Sequence, residues 1–202
     1  PIAKVQPTTT THLRWTLTAP YAWLQDKTDP QVIAHLEAEN AYSRLVLQPT
    51  ELLQEQIYQE MRGRIKEDDS SAPLQRGAFW YYTRFITGKQ YRLFCRKKGS
   101  LDAPEEILLD ENILADGHAY CRVLAFEPSP DHTLLAYAVD TTGSLVFDLY
   151  IKDLTSGACL AGPIPQVALT LAWANDNCTL FYVVFDASHR PYKLFRLTLG
   201  ED

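Results

Sequence analysis

Side chains able to attack, transfer protons or hold a metal are present in this chain, but few of them stand in a usable pattern. Ser70, Ser71, Ser129 and Ser144 could in principle be nucleophiles, yet each sits in a turn-like context where hydroxyls bond nearby backbone. No G-x-S-x-G segment is present to expose a serine at a strand-to-helix turn. The five histidines, His12, His35, His118, His132 and His189, are scattered along the chain and read as solvated or structural. His118 and Cys121 have a spacing compatible with metal ligation, but two further spaced ligands are missing. Glu105-Glu106 and Asp68-Asp69 are neighbouring carboxylates, and adjacency does not set the separation that acid–base pairs need, so they read as solvated loop charges. Arg92, Arg96, Lys97 and Lys98 lie on a strand and its turn, where charged protection of an exposed sheet edge explains them as well as any ligand does. Neither a G-x-x-x-x-G-K-[ST] loop nor a G-x-G-x-x-G loop supports nucleotide binding. On this reading the catalytic, cofactor and metal residues of the chain number none.

The elements that would position any site are more legible. Asp131–Leu154 reappears 45 residues on as Asp176–Leu199, with Asp131, Tyr137, Leu149, Tyr150 and Leu154 falling on Asp176, Tyr182, Leu194, Phe195 and Leu199. Tyr81 and Tyr91–Phe94 match Tyr182 and Tyr192–Phe195 at an offset of 101. Short alternating strands at a period of about 40–50 residues are the signature of propeller blades, which need roughly 4–8 copies to close a ring. The fold class is therefore mainly β with an N-terminal helical segment, a partial β-propeller of about two and a half blades.

Two units are expected, an arm with two helices over residues 1–75 and the incomplete propeller over 76–202. Residues 1–20 read as an extended arm. Asp29 caps and Pro30 opens a helix that places Val32, Leu36, Tyr42 and Val46 on one face and stops at Leu47-Gln48-Pro49. A second helix from about Thr50 to Gly63 aligns Leu53, Ile57 and Met61. Strands are expected at Phe79–Phe85, Gln90–Arg96, Glu106–Leu109, Cys121–Phe126, Leu134–Asp140, Leu145–Leu154, Val167–Trp173, Thr179–Phe185 and Tyr192–Leu199. They should form antiparallel hairpins, with Cys121–Phe126 and Val167–Trp173 innermost and residues 111–119 inserted between blades. The first blade reads as incomplete and the third as cut off after three strands.

Composition bounds the partners. A net charge of −6 argues against nucleic acid. No apolar run approaches a membrane span, and no signal-peptide pattern opens the chain, so a cytoplasmic protein is expected. Four cysteines without C-x-x-C pairing give no disulfide framework, and Cys95, Cys121 and Cys178 read as small buried residues.

The ordered words of the chain resemble the oligopeptidase B (protease II) branch of the prolyl oligopeptidase family of serine peptidases. They are Pro20–Leu24, Leu36–Tyr42, Arg64–Ser71, Trp80–Arg84, Lys98–Glu106, Ser129–Asp131, Tyr137–Gly143 and Thr179–Tyr182. The resemblance implies a helical segment packed on a C-terminal α/β-hydrolase domain, with a seven-bladed propeller between them that caps the active site. It also implies cleavage of short peptides after Arg or Lys by a Ser-His-Asp triad, without a cofactor. None of the family's triad motifs falls within these residues, so this portion would serve gating and docking and be inactive alone. Its partners would be the hydrolase domain and the remaining blades, with short basic peptides as substrate of the whole enzyme. Isolated, it should self-associate through an apolar last face carrying Leu180, Tyr182, Leu194 and Phe195, and through the stripe Leu53, Ile57 and Met61. The competing reading is a stand-alone, non-catalytic binding or scaffold module.

Overall fold

The computed structural model describes residues 1–200 and falls into two compact units, residues 1–65 and those from 66 onward. The first unit begins with an antiparallel hairpin, β1 (Thr8–His12) and β2 (Trp15–Ala19). Its threonines explain it, since β-branched side chains suit a pleated surface and face one another across the strands. Thr9 and Thr18 hydroxyls lie 3.1 Å apart. Residues 8–19 thus pair as a hairpin within the stretch expected as an extended arm. The turn at Leu13-Arg14 has no Gly or Asn to announce it, and Leu13 takes a left-handed φ of 56°.

Helix α1 (Pro30–Leu47) starts as its sequence dictates: Asp29 accepts from the Gln31 N–H at 2.8 Å, and Pro30 occupies the first position. A single 3-10 turn, Gln48–Thr50, leads into α2 (Glu51–Gly63), and the Thr50 hydroxyl donates to the Leu47 carbonyl at 2.7 Å. Only Val32 of α1 is buried among the described residues, and none of α2 is. No helix is long and apolar enough to cross a membrane.

The second unit is built from antiparallel strands paired in chain order. One sheet runs β3 (Leu74–Arg76), β4 (Phe79–Arg84), β5 (Leu93–Lys98), β6 (Glu105–Asp110). A short helix, α3 (Glu111–Leu114), occupies the stretch expected as an insertion. The next sheet runs β7 (Arg122–Pro128), β8 (Leu134–Asp140), β9 (Phe147–Asp153), β10 (Cys159–Trp173), β11 (Thr179–Phe185), β12 (Pro191–Thr198). That six-stranded sheet is two blades sharing β10. Cys159, Ala161 and Ile164 pair with β9, Leu171 to Trp173 pair with β11, and Val167 pairs with both Phe147 and Val184. The first sheet carries four strands, one more than the alternation revealed, because β3 is three exposed residues long.

Strand β8 shows why the blades stack. Its odd-numbered residues Leu135, Tyr137 and Val139 join Tyr81, Phe94, Leu108 and Leu109 of the first sheet in one core. Its even-numbered Ala136 and Ala138 face the other way, where Ala136 meets Leu149, Ile151, Val167 and Leu180. Large residues on one face and alanines on the other let a central strand be buried twice at close-packed density. The 45-residue repeat also survives as geometry. The Tyr137–Tyr150 and Tyr182–Phe195 ring pairs both stack at 5.5 Å.

Two details of the repeat are corrected. At the 101 offset Tyr81 should oppose Phe94, but Tyr81 opposes Arg96 and Phe94 opposes Thr83. Phe126 from the next blade fills the gap instead, stacking on Phe94 at 4.9 Å. The expected last face mixed two surfaces. Leu180 is fully buried against the second blade, and Tyr182 and Phe195 lie on that same side, whereas Leu194 points away from it. Leu194 and Phe195 are neighbours on one strand and must point oppositely.

Candidate functional site

The residues singled out for chemistry are dispersed by the fold. Ser129, Asp131 and His132 are close in sequence, and a Ser-His-Asp relay would need the imidazole between the other two. Instead the Ser129 hydroxyl donates directly to Asp131 Oδ1 at 2.6 Å, and the His132 ring turns away to Tyr81. Ser71 Oγ accepts from the Thr83 N–H, and the Ser144 and Thr142 hydroxyls bond each other in a turn. His35 lies against the Trp23 ring and 3.8 Å from Glu39. Among the described residues no group of three or more His, Cys, Asp or Glu is placed to hold a metal, so His118 and Cys121 gain no further ligands. The four cysteines are free. Cys95 and Cys121 are buried, Cys178 is half-buried and Cys159 is exposed. Burial pushes the Cys95 thiol up to about 12 and the Cys121 thiol up to about 11, so neither is a thiolate nucleophile at neutral pH.

Two charge groups have different surroundings from those expected. Glu105 and Glu106 are strand residues, and as neighbours they face opposite sides of β6. Glu105 takes a two-pronged ion pair from Arg84, at 2.7 Å to the nearest oxygen, and a hydrogen bond from the Tyr82 hydroxyl. Those contacts, Arg84 first, hold its carboxyl down at about 2, and burial with the Glu105 bond pushes the Tyr82 phenol upward. Arg96 does not protect an edge. Strand β5 is internal, Arg96 is 7% exposed, and it lies between blades, bonded to Glu106 at 2.8 Å and to the His132 carbonyl at 2.7 Å. The missed signal was alternation. Phe94 and Arg96 share a face, so whatever buries the ring also buries the guanidinium.

Arg96 borders a polar seam that runs along the first strands of the blades. Arg76 of β3 pairs with Glu127 of β7 at 3.1 Å, and the Trp173 indole of β10 donates to the Glu127 carbonyl at 2.9 Å. The first hairpin turn of each blade docks on the one before it. The turn residues Gly77, His132 and Asn177 all have left-handed φ. His132 packs so closely on Gly77 that a Cβ there would stand 2.8 Å from its Nε2, so a side chain at this position would push the imidazole aside. Asn177 Oδ1 accepts from the Asp131 N–H at 2.9 Å, which repeats the arrangement one blade on. Hairpins wound in chain order, stacked face to face and stapled turn to turn, are the geometry of propeller blades around an axis.

Comparison with known proteins agrees with that geometry. The model of the prolyl oligopeptidase N-terminal β-propeller domain matches residues 1–202. The chain belongs to that family. Protease 2 of Moraxella lacunata is 35% identical over 189 residues, covering 90% of this chain and 27% of its own length. Dipeptidyl aminopeptidase BI of Pseudoxanthomonas mexicana is 38% identical over 180 residues, covering 81% of this chain and 25% of its own. Oligopeptidase B from Leishmania major superposes on the whole chain with a TM-score of 0.87 and 32% identity, using 31% of that structure. The chain therefore spans roughly a quarter to a third of the length of these relatives. Within the family, the seam joins successive blades of an N-terminal propeller.

Proposed function

We propose that this chain is the helical and propeller portion of an oligopeptidase B-like serine endopeptidase, working in the cytoplasm on short peptides with cleavage after Arg or Lys. The observation that carries this reading is the whole-length superposition on oligopeptidase B from Leishmania major at 32% identity. The catalytic serine, histidine and aspartate would come from a C-terminal α/β-hydrolase domain, none from these residues. The stacked blades would restrict entry to that domain, and the stripe Leu53, Ile57 and Met61 would dock on it. That a Trypanosoma brucei oligopeptidase B carrying covalently bound antipain is described as a closed form supports a gating role for this portion.

A second peptidase reading has its own observation, the 38% identity to a dipeptidyl aminopeptidase. The two differ in what they require of a substrate. The test is hydrolysis, by the complete gene product and by this chain alone, of an N-blocked peptide ending in Arg–anilide and of an unblocked dipeptidyl-anilide. The complete product should cleave the blocked Arg substrate and lose that activity to a serine-directed phosphonate, while this chain alone stays inactive. Strict need for a free amino terminus would transfer the protein to the dipeptidyl aminopeptidase reading. Absence of any hydrolysis by the complete product would favour the binding module.

A further inference from the structure

We propose that His132 is an acid-sensitive latch between the first two blades: in its neutral form it clamps their adjoining turns, and on protonation it releases them.

The latch is built from contacts on three sides. Tyr81 Oη lies 2.8 Å from His132 Nδ1, and the phenol donates when that nitrogen is unprotonated. The imidazole stands over Phe79 with ring centroids 4.9 Å apart, and over Tyr81 at 5.8 Å with a 30° tilt. Its Nε2 edge sits in the notch that the bare Gly77 backbone leaves open. The His132 carbonyl is held at the same time by Arg96 of β5. One residue of the second blade therefore engages β4, β5 and the turn after β3.

The surroundings oppose a positive ring. Desolvation first, and then the Arg96 guanidinium, hold the His132 pKa below its ordinary value of 6.5; Arg76 acts in the same direction. Arg96 is 4.3 Å above the same Phe79 ring, and Lys98 is 5.7 Å from it. Three acids are near, but two already serve the arginines: Glu106 pairs with Arg96 and Glu127 with Arg76. Asp131 is the one that favours the charged ring, and its carboxylate accepts from Ser129 and from Thr133. The Tyr81 bond does not itself resist protonation, since the phenol oxygen can accept from an Nδ1–H. What resists is first the lost hydration of a charged ring, and then its enclosure with two arginines.

The sign follows from linkage. The native state binds the His132 proton less readily than the unfolded chain does. The clamp is therefore fully present above the ordinary histidine range and weakens as pH falls through it, levelling off below the depressed native value. The next seam supplies an internal control. There the docking residue is Asn177, which has no proton to gain in this range.

The test is amide hydrogen exchange of this chain at pH 7.5 and pH 5.0, expressed as protection factors to remove the intrinsic pH dependence. The backbone N–H groups of Ser129, His132 and Leu134 donate within the latch turn, Leu134 to the Ser129 hydroxyl; those of Ala174, Asn177 and Thr179 donate within the control turn, Thr179 to the Asp176 carboxylate. The latch amides should lose protection severalfold at pH 5.0 while the control amides hold. In His132→Asn, which tolerates the left-handed φ but does not titrate, the two turns should respond alike. An NMR titration of the His132 ring in the unmutated chain should give a pKa below 6.5. Equal protection of the latch amides at both pH values, or a ring that titrates at or above 6.5, overturns the latch.

Discussion

Helix α2 and strand β8 carry equally clear hydrophobic patterns, and the structure treats them in opposite ways. Leu53, Ile57 and Met61 recur at helical spacing and remain 55%, 47% and 63% exposed, whereas Leu135, Ala136 and Ala138 are fully buried. A pattern in sequence records that a face is to be covered; it does not say by what. For β8 both covering faces lie within this unit, the first sheet on one side and β9 to β11 on the other. For α2 no residue of its own unit covers the stripe.

Truncation at the two places should separate them most sharply. Leu149 packs at the centre of the core between the second and third blades, and Leu149→Ala should cost about 2–5 kcal/mol. Leu53→Ala in this chain should change stability by no more than about 0.5 kcal/mol. Urea unfolding of both variants, followed by tryptophan fluorescence, checks the contrast; comparable losses would mean that the stripe is packed in solution.

The same comparison marks what could be read beforehand. Helix α1 was legible because Asp29, Pro30 and the apolar spacing all act locally, β9 because polar and apolar residues alternate, and β8 and β11 because apolar runs of strand length lie between turn residues. Strand β10 was read only from Val167 onward, since Gly162, Pro163 and Pro165 normally end a strand. Here they fall where the register shifts, and pairing resumes beyond them. The seam was illegible for a different reason. Arg76 with Glu127, and Tyr81 with His132, are each 51 residues apart, and no local period encodes a contact made by stacking.

Gly162 offers the next largest effect. Its φ is +118°, and a Cβ there would stand 2.6 Å from the Leu149 carbonyl and 2.8 Å from the Tyr150 ring. Gly162→Ala should destabilise the chain by about 1–3 kcal/mol, since backbone must move to admit the methyl group. Gly88→Ala has open space around it and bears only the strain of its own φ, so it should cost less. Thermal unfolding by circular dichroism compares the two, and equal losses would show that space at Gly162 is not the constraint.

Acidification gives a smaller effect, set by Glu105. Its native pKa of about 2 lies below its ordinary 4.5, so its contribution is complete above 4.5 and is lost as pH falls towards 2. Glu105→Gln should remove about 1 kcal/mol at pH 7 and leave the variant less sensitive than the parent between pH 4.5 and 2. Urea midpoints across that window measure it, and parallel pH profiles for the two proteins would mean that the Arg84 pair contributes nothing to folding.

The smallest change in stability should accompany the largest change in behaviour. Replacing Leu53, Ile57 and Met61 by glutamate removes no packing that α2 makes within its unit, so the unfolding midpoint should stay within about 0.5 kcal/mol. The stripe is nonetheless a run of large apolar side chains in water, and such faces recruit one another or bind hydrophobic dyes. In the unmutated chain, light scattering should report self-association and a hydrophobic dye should brighten; the triple variant should lose much of both. Residual dye binding would then come from the last sheet, where Phe181 and Leu194 remain 37% and 69% exposed. A further Leu194→Glu change isolates that second face. If the triple variant unfolds much earlier than the parent, the stripe is packed against this chain after all, and the contrast between α2 and β8 collapses. If it keeps its midpoint and becomes monomeric, the exposed stripe is a docking face whose partner lies outside its own helical unit.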